Sequence, residues 1–345
     1  MHWHDICYII LTVRISESLS GTCSGQGRKL SMRRYKVIVR SLSKEEIKMP
    51  VRNKPMGRIP VKVIDDLWKD SIDMHIHPGP DPNAERPIDS VKVAQYAEKA
   101  GMKGVVLKSF TYNTASDAYL IEKNITKDVH VFGSVVIGYT TTGGLTYAAK
   151  TIEAMAKIGC KVVWFPAMDA EWCQAYLGHP GAGIWILNED GSLKDEVYSI
   201  LKVIKEYNMV VCSGHMSYEE STKMFDAAIE LGIDKMVATH PLAELSRFTL
   251  DQIKELADKG VYIEHVYGTT MPRLGNLDPS DYVDCVKLIG AERNLMGTDL
   301  AQVWDTDPAT GMRLFIAQMI QFGCTPEEVE FMCKKNPAKL LDIEL

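Results

Sequence analysis

The chain has 345 residues, of which 46% are hydrophobic, and its formal net charge is −6. This length allows one large domain or two modest ones, and the negative charge argues against a basic surface of the kind that binds nucleic acid. No apolar run approaches the roughly 20 residues that a membrane-spanning helix needs. The eight cysteines are scattered without a Cys-x-x-Cys pair, which is typical of reduced thiols in a cytoplasmic protein.

The first fifty residues differ from the rest of the chain in charge. They carry nine Lys/Arg and four Asp/Glu, a net charge of +5, whereas the remainder carries −11. Their apolar stretch, residues 6–13, follows His4 and Asp5 instead of a basic segment, which disfavours a secretory signal. We therefore interpret residues 1–50 as a poorly ordered extension that precedes a single domain over residues 60–345.

From about residue 60, short β-rich runs alternate with longer amphipathic stretches. Several runs are almost wholly apolar, such as residues 104–107 and 209–212, as expected for parallel strands that are buried on both faces. Eight runs are predicted to be strands, and they cover residues 71–75, 104–109, 130–137, 161–165, 209–213, 235–239, 261–266 and 294–297.

The stretches between these runs predict helices with recognisable ends. Ser217 and Glu220 have the spacing of a capping box at the start of one of them. Four predicted helices stop immediately before a glycine, and they cover residues 90–100, 145–158, 217–231 and 249–259. A helix that ends at glycine shortly before a strand is typical of βα repeats.

Eight βα units predict an α/β fold of the (β/α)₈ TIM barrel class. The alternative is an open doubly wound sheet, which usually carries a Gly-rich phosphate loop after its first strand. Here the first run is followed by His77-Pro78-Gly79-Pro80-Asp81, which bears a histidine and two prolines and is not a dinucleotide fingerprint. We therefore favour the closed barrel.

Chemistry in such a barrel is expected at the C-terminal ends of the strands. His75 ends the first run and His77 comes two residues later, so both point to the same face if the strand continues. His215, His240 and Asp299 follow the fifth, sixth and eighth runs. Imidazole and carboxylate ligands suit Zn²⁺ best, with Mn²⁺ or Fe²⁺ as alternatives. The pattern predicts a site for one or two divalent metal ions.

This set of strand-end residues resembles that of the amidohydrolase superfamily. The closing segment, residues 336–341, is similar to the Asn-Pro-Ala helix of that superfamily, and residues 73–81 and 105–109 resemble a branch known only as a domain of unknown function. The resemblance covers roughly residues 65–345. It implies a metal-dependent hydrolase and does not indicate the substrate.

One position departs from the superfamily pattern. Many members with two metal ions carry a carboxylated lysine or a glutamate at the end of the fourth strand as a bridging ligand. The fourth run here ends in Val163-Trp164-Phe165-Pro166, with neither residue at its tip. Lys108 lies next to the last residue of the second run in an apolar setting, which lowers the pKa of an amine. We predict that Lys108 substitutes as a catalytic, carboxylated bridging ligand; the alternative is a free lysine that binds substrate or pairs with Asp299.

The ligands also predict a mechanism. A divalent ion lowers the pKa of bound water from 15.7 toward about 7, and Asp299 would take the proton of that water and pass it to the leaving group. The predicted reaction is hydrolysis of an amide, cyclic amide or ester in a small molecule. A deaminase or decarboxylase with one metal on the same barrel is the alternative.

Other side chains are candidates for contacts with a small-molecule substrate. His265 ends the seventh run beside Glu264, and since neighbours on a strand face opposite ways, we favour His265 as the catalytic residue that faces the substrate. Arg86 and Arg273 could hold a substrate carboxylate, and Tyr139 could shape the pocket. Neither nucleic acid nor a membrane is predicted as a partner, and a homo-oligomer is left open.

We expect residues 1–48 to be dispensable for folding. All predicted strands lie downstream of them, so a chain that begins at Met49 should be as soluble as the full chain and bind the same amount of metal. Thermal unfolding and metal content, measured for both proteins side by side, would test this. Loss of soluble protein on truncation would show that the extension packs on the domain.

Overall fold

The computed structural model describes residues 59–272 and 277–345. The predicted N-terminal extension, residues 1–50, lies outside them, as does Arg273. The described strands are β1 (Ile72–Ile76), β2 (Gly104–Leu107), β3 (His130–Phe132), β4 (Ser134–Val136), β5 (Val162–Trp164), β6 (Val210–Cys212), β7 (Met236–Ala238), β8 (Tyr262–Val266) and β9 (Asn294–Gly297).

Helices separate nearly all of these strands, and the capping signals read from the sequence are present. The side chain of Ser217 accepts a hydrogen bond from the Glu220 backbone, which completes the predicted capping box. The helices are α1 (Val61–Trp68), α2 (Ser90–Ala100), α3 (Ala115–Asn124), α4 (Tyr139–Thr142), α5 (Ala148–Ala156), α6 (Glu171–Tyr176), α7 (Asp195–Glu206), α8 (Tyr218–Glu230), α9 (Leu250–Asp258), α10 (Pro279–Ile289), α11 (Pro308–Phe322), α12 (Pro326–Glu330) and α13 (Asn336–Leu341), with short 3₁₀ turns at Tyr267–Thr270 and Ala291–Arg293 and a π-helical turn at Phe331–Lys335.

The strands form a (β/α)₈ TIM barrel, as predicted. Paired neighbours are parallel and follow chain order in two ladders, β1 to β3 and β4 to β9. The first and last strands meet through backbone hydrogen bonds just beyond their ends: Asp299 N–H donates to the His75 carbonyl at 2.7 Å, and His77 N–H donates to the Leu300 carbonyl at 2.9 Å. An open sheet would have no such contact between its first and last strands.

The run predicted as one strand over residues 130–137 is interrupted at Gly133, and this part of the prediction is wrong. Thr114, just before α3, inserts its side chain at the break: its hydroxyl donates to the Leu107 carbonyl at 2.7 Å and accepts from Ser134 N–H at 2.8 Å. A Cβ on Gly133 would lie 2.4 Å from the Ala115 Cα. Two short segments, β3 and β4, therefore share one of the eight barrel positions.

Alternate residues of each strand face the barrel interior and the helical layer. Val106 belongs to the interior cluster, whereas Val105 and Leu107 pack against the helices. Helix α13 contributes Leu340 to the interior cluster, and Asn336 anchors it by donating to the Asn294 carbonyl at 2.7 Å. Because α13 covers the N-terminal end of the barrel, the C-terminal end is the open one.

The six cysteines within the described ranges are buried and free of disulfides. Among the helices of residues 59–272 and 277–345, none combines the length and apolar character that crossing a bilayer requires.

Candidate metal centre

Three ligand atoms converge where β1 and β9 end. The Nε2 atoms of His75 and His77 lie 3.2 Å apart. The Oδ1 atom of Asp299 lies 3.1 Å from His77 Nε2 and 3.5 Å from His75 Nε2. All three side chains are buried, and their ligand atoms lie within 4.8 Å of one another. This is an arrangement that can hold a metal ion.

His215 and His240 stand beside this cluster. Their ring centroids are 5.0 Å apart, and the His240 ring lies 5.7 Å from that of His75. Within the described ranges, neither Nδ1 atom has a hydrogen-bond partner although both are buried. Buried polar atoms in proteins are nearly always satisfied, so unpaired imidazoles at this position fit a group that binds a further ligand. The structure thus brings all five predicted His and Asp ligands together.

Gly214 determines where His215 lies. Its φ of +62° is in the left-handed region, and a Cβ there would lie 2.2 Å from the Phe165 carbonyl oxygen. The backbone of this turn therefore approaches the end of β5 closely, and His215 N–H donates to the Pro166 carbonyl at 3.0 Å. Any side chain at residue 214 would push the histidine away from the centre.

The protonation states of the cluster are those that metal ligands need. Burial lowers the pKa of His75 and of His77 to about 3, and that of His240 to about 4, so the imidazoles are neutral near pH 7. Burial alone would raise the pKa of Asp299, but the neighbouring His75 and His77 outweigh it and hold that pKa well below its usual value. Neutral imidazoles and an ionised carboxylate can coordinate a dication without first losing protons.

Asp73 holds the ends of β1 and β9 together, a role that the sequence patterns did not predict. Its carboxylate accepts from the Thr298 hydroxyl at 2.6 Å, from Thr298 N–H at 2.9 Å and from His75 N–H at 3.1 Å. Asp299, which directly follows Thr298, has a left-handed φ of 55°, a conformation that is costly for a residue other than glycine unless the surroundings stabilise it. The available signal was spacing, because Asp73 lies two residues before His75 and therefore shares its face of β1.

Lys108 lies at the centre. It is fully buried, its Nζ atom lies 3.0 Å from His75 Nε2, and the same atom lies 4.1 Å from the centroid of the Trp164 ring. Burial lowers the pKa of Lys108 to about 8. Strand β5 corresponds to the fourth predicted run, which lacks a bridging lysine or glutamate at its end. Its last residue is Trp164, whose indole ring occupies that position.

The orientation predicted for residues 264 and 265 is wrong. Glu264 points inward: both its carboxylate oxygens lie 3.2 Å from His75 Nδ1, and one accepts from His240 N–H at 3.3 Å. His265 points outward, where its Nε2 lies 2.7 Å from Asn294 Oδ1 and its ring packs on Tyr282 at 4.4 Å. His265 therefore does not face the centre, and Glu264 takes its place.

Replacing Glu264 by glutamine is expected to weaken metal binding by about 10- to 100-fold, the usual effect of losing a carboxylate behind a ligand histidine. An ionised carboxylate beside Nδ1 favours the His75 tautomer that carries its proton there and presents Nε2 to the centre, whereas an amide can turn its NH₂ group toward Nδ1 instead. Competitive titration with a chelating dye would measure the affinity, and ¹⁵N NMR of the imidazole would report the tautomer.

Glu171→Gln is the matched control for that experiment. Glu171 is also a buried carboxylate, but it holds a loop by accepting from Gly181 N–H at 2.6 Å and from Gly183 N–H at 2.7 Å. We expect the Glu171 variant to keep its metal affinity. Unchanged affinity in the Glu264 variant as well would show that Glu264 does not position His75.

A cavity of about 550 Å³ opens above His75, His77 and Asp299 and is lined in part by them. Arg86 and Tyr139, both predicted to contact substrate, line its wall. Much of the remaining wall is apolar and includes Phe110, Ile137 and Leu177. The cavity is therefore large enough for a small molecule and combines an apolar surface with a few polar groups, as ligand sites do.

The TIM-barrel fold is similar to that of several solved structures that are named as hydrolases. Similar solved structures are an amidohydrolase from Pseudomonas aeruginosa (12% identity, TM-score 0.54, covering 81% of this chain and 98% of that one) and the probable dipeptidase PvdM from the same organism (13%, 0.56, 82% and 98%). A probable 2-pyrone-4,6-dicarboxylic acid hydrolase from Acinetobacter baumannii is also similar (13%, 0.51, 79% and 100%). At these identities the likeness establishes the fold alone.

The chain belongs to the family of unknown function DUF6282, whose model matches residues 70–264. No curated protein matches it. The matched region contains four of the five predicted His and Asp ligands together with Lys108 and Glu264, while Asp299 lies beyond it.

Proposed function

We propose that this protein is a metal-dependent hydrolase that cleaves an amide, cyclic amide or ester bond in a small molecule. The observation that carries the proposal is the convergence of His75, His77 and Asp299, with ligand atoms within 4.8 Å of one another, below a cavity at the C-terminal end of the barrel. One or two divalent ions would be held there, and imidazole with carboxylate favours zinc over manganese or iron. Such an ion supplies water of lowered pKa and polarises the attacked carbonyl.

Residues of the chain would transfer the proton, orient the ligands and exclude water. Asp299 carries an ionised carboxylate beside the ligand imidazoles, so it can accept a proton from the attacking water and return it to the leaving group. Glu264 orients His75. Phe110 packs on His77, with ring centroids 4.6 Å apart, and limits the access of bulk water to the centre.

Lys108 would complete a centre with two ions as a carbamate. The neutral amine adds CO₂ to form an N–C bond and releases one proton, and the resulting carboxylate has two oxygens that can each bind an ion. The contact between Lys108 Nζ and His75 Nε2, 3.0 Å long, supports this role because it brings the amine among the ligand atoms.

A deaminase or decarboxylase with a single ion is the second candidate. It is favoured by the compactness of the group formed by His75, His77 and Asp299, which is sufficient for one ion without Lys108. The two functions differ in their products, because a deaminase releases ammonia and a decarboxylase releases CO₂.

The test is metal analysis followed by a substrate screen. The purified full chain is loaded with zinc or manganese, its metal content per chain is measured, and lactams, lactones, cyclic ureas and N-acyl amino acids are assayed for ring opening or amine release. Turnover should disappear on chelation and return with metal. A protein that binds no divalent ion, or whose turnover survives complete metal removal, would contradict the proposal.

A further inference from the structure

The wall of the cavity carries an uneven set of charged groups. Among its described lining residues, Arg86 is the one lysine or arginine. Four carboxylates accompany it, those of Asp81, Asp169, Glu244 and Asp299. These numbers alone do not decide whether the cavity binds an anion or a cation. A charged ligand binds to the groups that still have hydrogen-bonding capacity.

Each of the four carboxylates already has a partner. Asp81 accepts from Arg86 Nε at 3.2 Å, Asp169 accepts from Tyr139 N–H at 2.8 Å, and Glu244 accepts from the Tyr176 hydroxyl. Asp299 lies within the cluster of metal ligands. Each of the four carboxylates therefore has at least one hydrogen-bonding or ligand neighbour.

Arg86 is in the opposite situation. Its side chain is only 5% exposed, and its contact with Asp81 uses Nε alone, at 3.2 Å. The Nη1 atom is buried and has no hydrogen-bond partner in residues 59–272 and 277–345. A guanidinium carries five N–H donors, and a buried donor without an acceptor costs free energy. A ligand that brings an acceptor to Nη1 would therefore be favoured.

The loop that carries Arg86 is held at both ends. Gly79 N–H donates to the Ile88 carbonyl at 2.8 Å, which ties the start of the loop to its end. Asp89 then caps α2 by accepting from Lys92 N–H at 2.8 Å. The guanidinium therefore lies on a closed loop that starts directly after the metal ligand His77, and a ligand that binds it would not have to order the loop first.

We propose that Arg86 forms a carboxylate-binding subsite, and that the substrate is a small molecule with a carboxylate and an apolar body. This inference rests on the proposed hydrolase function for the identity of the cleaved bond, but not for the subsite itself. Arginine is the side chain best suited to carboxylates. The carboxylate would bind Arg86, the apolar body would lie against Ile137 and Leu177, and the scissile bond would reach the centre at Asp299.

The experiment compares the binding of a carboxylic acid with that of its neutral amide. N-acetyl-L-leucine and N-acetyl-L-leucinamide differ only in the carboxylate, and their binding to the full chain is measured by calorimetry, with the metal-loaded protein and with protein stripped of metal and dialysed. The acid should bind about tenfold more tightly in both forms, a size typical of one charge-assisted hydrogen bond whose charge Asp81 already balances in part. Equal binding of the two probes by the unmodified chain would overturn the proposal.

Variants assign the preference to the side chain. Arg86→Met should bind both probes with the affinity of the amide, and Arg86→Lys, which keeps the charge without the planar fork, should recover part of the preference. Arg313→Met is the control, because Arg313 pairs with Asp65 at 2.8 Å and does not line the cavity. A preference that persists in Arg86→Met would also overturn the proposal.

The outcome is separable from that of the hydrolase test. If the chain hydrolyses nothing, the preference of the metal-free protein for the acid should remain. If it hydrolyses neutral and acidic substrates equally well, the hydrolase function stands and the subsite is refuted.

Discussion

Replacing Asp299 by asparagine is expected to lower kcat by about 10²- to 10⁴-fold, the range that a positioned proton-transfer group typically contributes. The amide has nearly the shape of the carboxylate, so the fold should survive, but it cannot accept the proton of the attacking water. The measurement is kcat on the best substrate from the screen, together with metal content and thermal unfolding. Retention of more than about a tenth of kcat would remove Asp299 from proton transfer.

Asp169→Asn is the matched control for that variant. Asp169 lines the same cavity, and its side chain accepts from Tyr139 N–H at 2.8 Å. An asparagine oxygen can accept the same hydrogen bond, so this variant should keep most of its activity. Equal losses in the two variants would show that charge in the cavity, rather than proton transfer by Asp299, limits turnover.

Replacing Lys108 by alanine is expected to reduce the metal content from two ions per chain to one. The variant loses the amine that would form the bridging carbamate, and it leaves a space beside His75 that a short carboxylate can enter. Added formate or acetate should therefore restore metal content and part of the activity. Metal analysis with and without the added acid is the measurement, and Lys235→Ala, whose lysine pairs with Asp342 at 2.6 Å, is the control.

The carbamate itself can be observed by ¹³C NMR with labelled bicarbonate. Because CO₂ adds only to the neutral amine, the carbamate signal should grow as the pH rises through about 8, the pKa to which burial lowers Lys108. The signal should be absent from the Lys108 variant. If the unmodified chain and the variant both hold one ion, the bridging role is refuted and the single-ion alternative follows.

Much of the centre was readable from the sequence because βα repeats make strand ends recognisable. A buried strand, its C-terminal tip and a polar residue at that tip can be located one unit at a time. The sequence therefore predicts that five residues are neighbours, namely His75, His77, His215, His240 and Asp299. The two-residue spacing of His75 and His77 also determined that they share a face.

Tertiary structure alone decided which side chains support the centre. In β8 both faces are buried, Tyr262 inside the barrel and Ile263 against the helices, so hydrophobicity does not indicate whether Glu264 or His265 faces inward. The break at Gly133 depends on Thr114, nineteen residues earlier in the chain.

The partners of the remaining groups are equally non-local. Asp73 meets Thr298 only because the last strand closes on the first, and Arg86 lines the cavity from a loop whose ends are joined by the hydrogen bond between Gly79 and Ile88. Local periodicity determined the strands and the residues at their tips. Ring closure and loop packing, which bring together residues far apart in the chain, decided which of those residues touch.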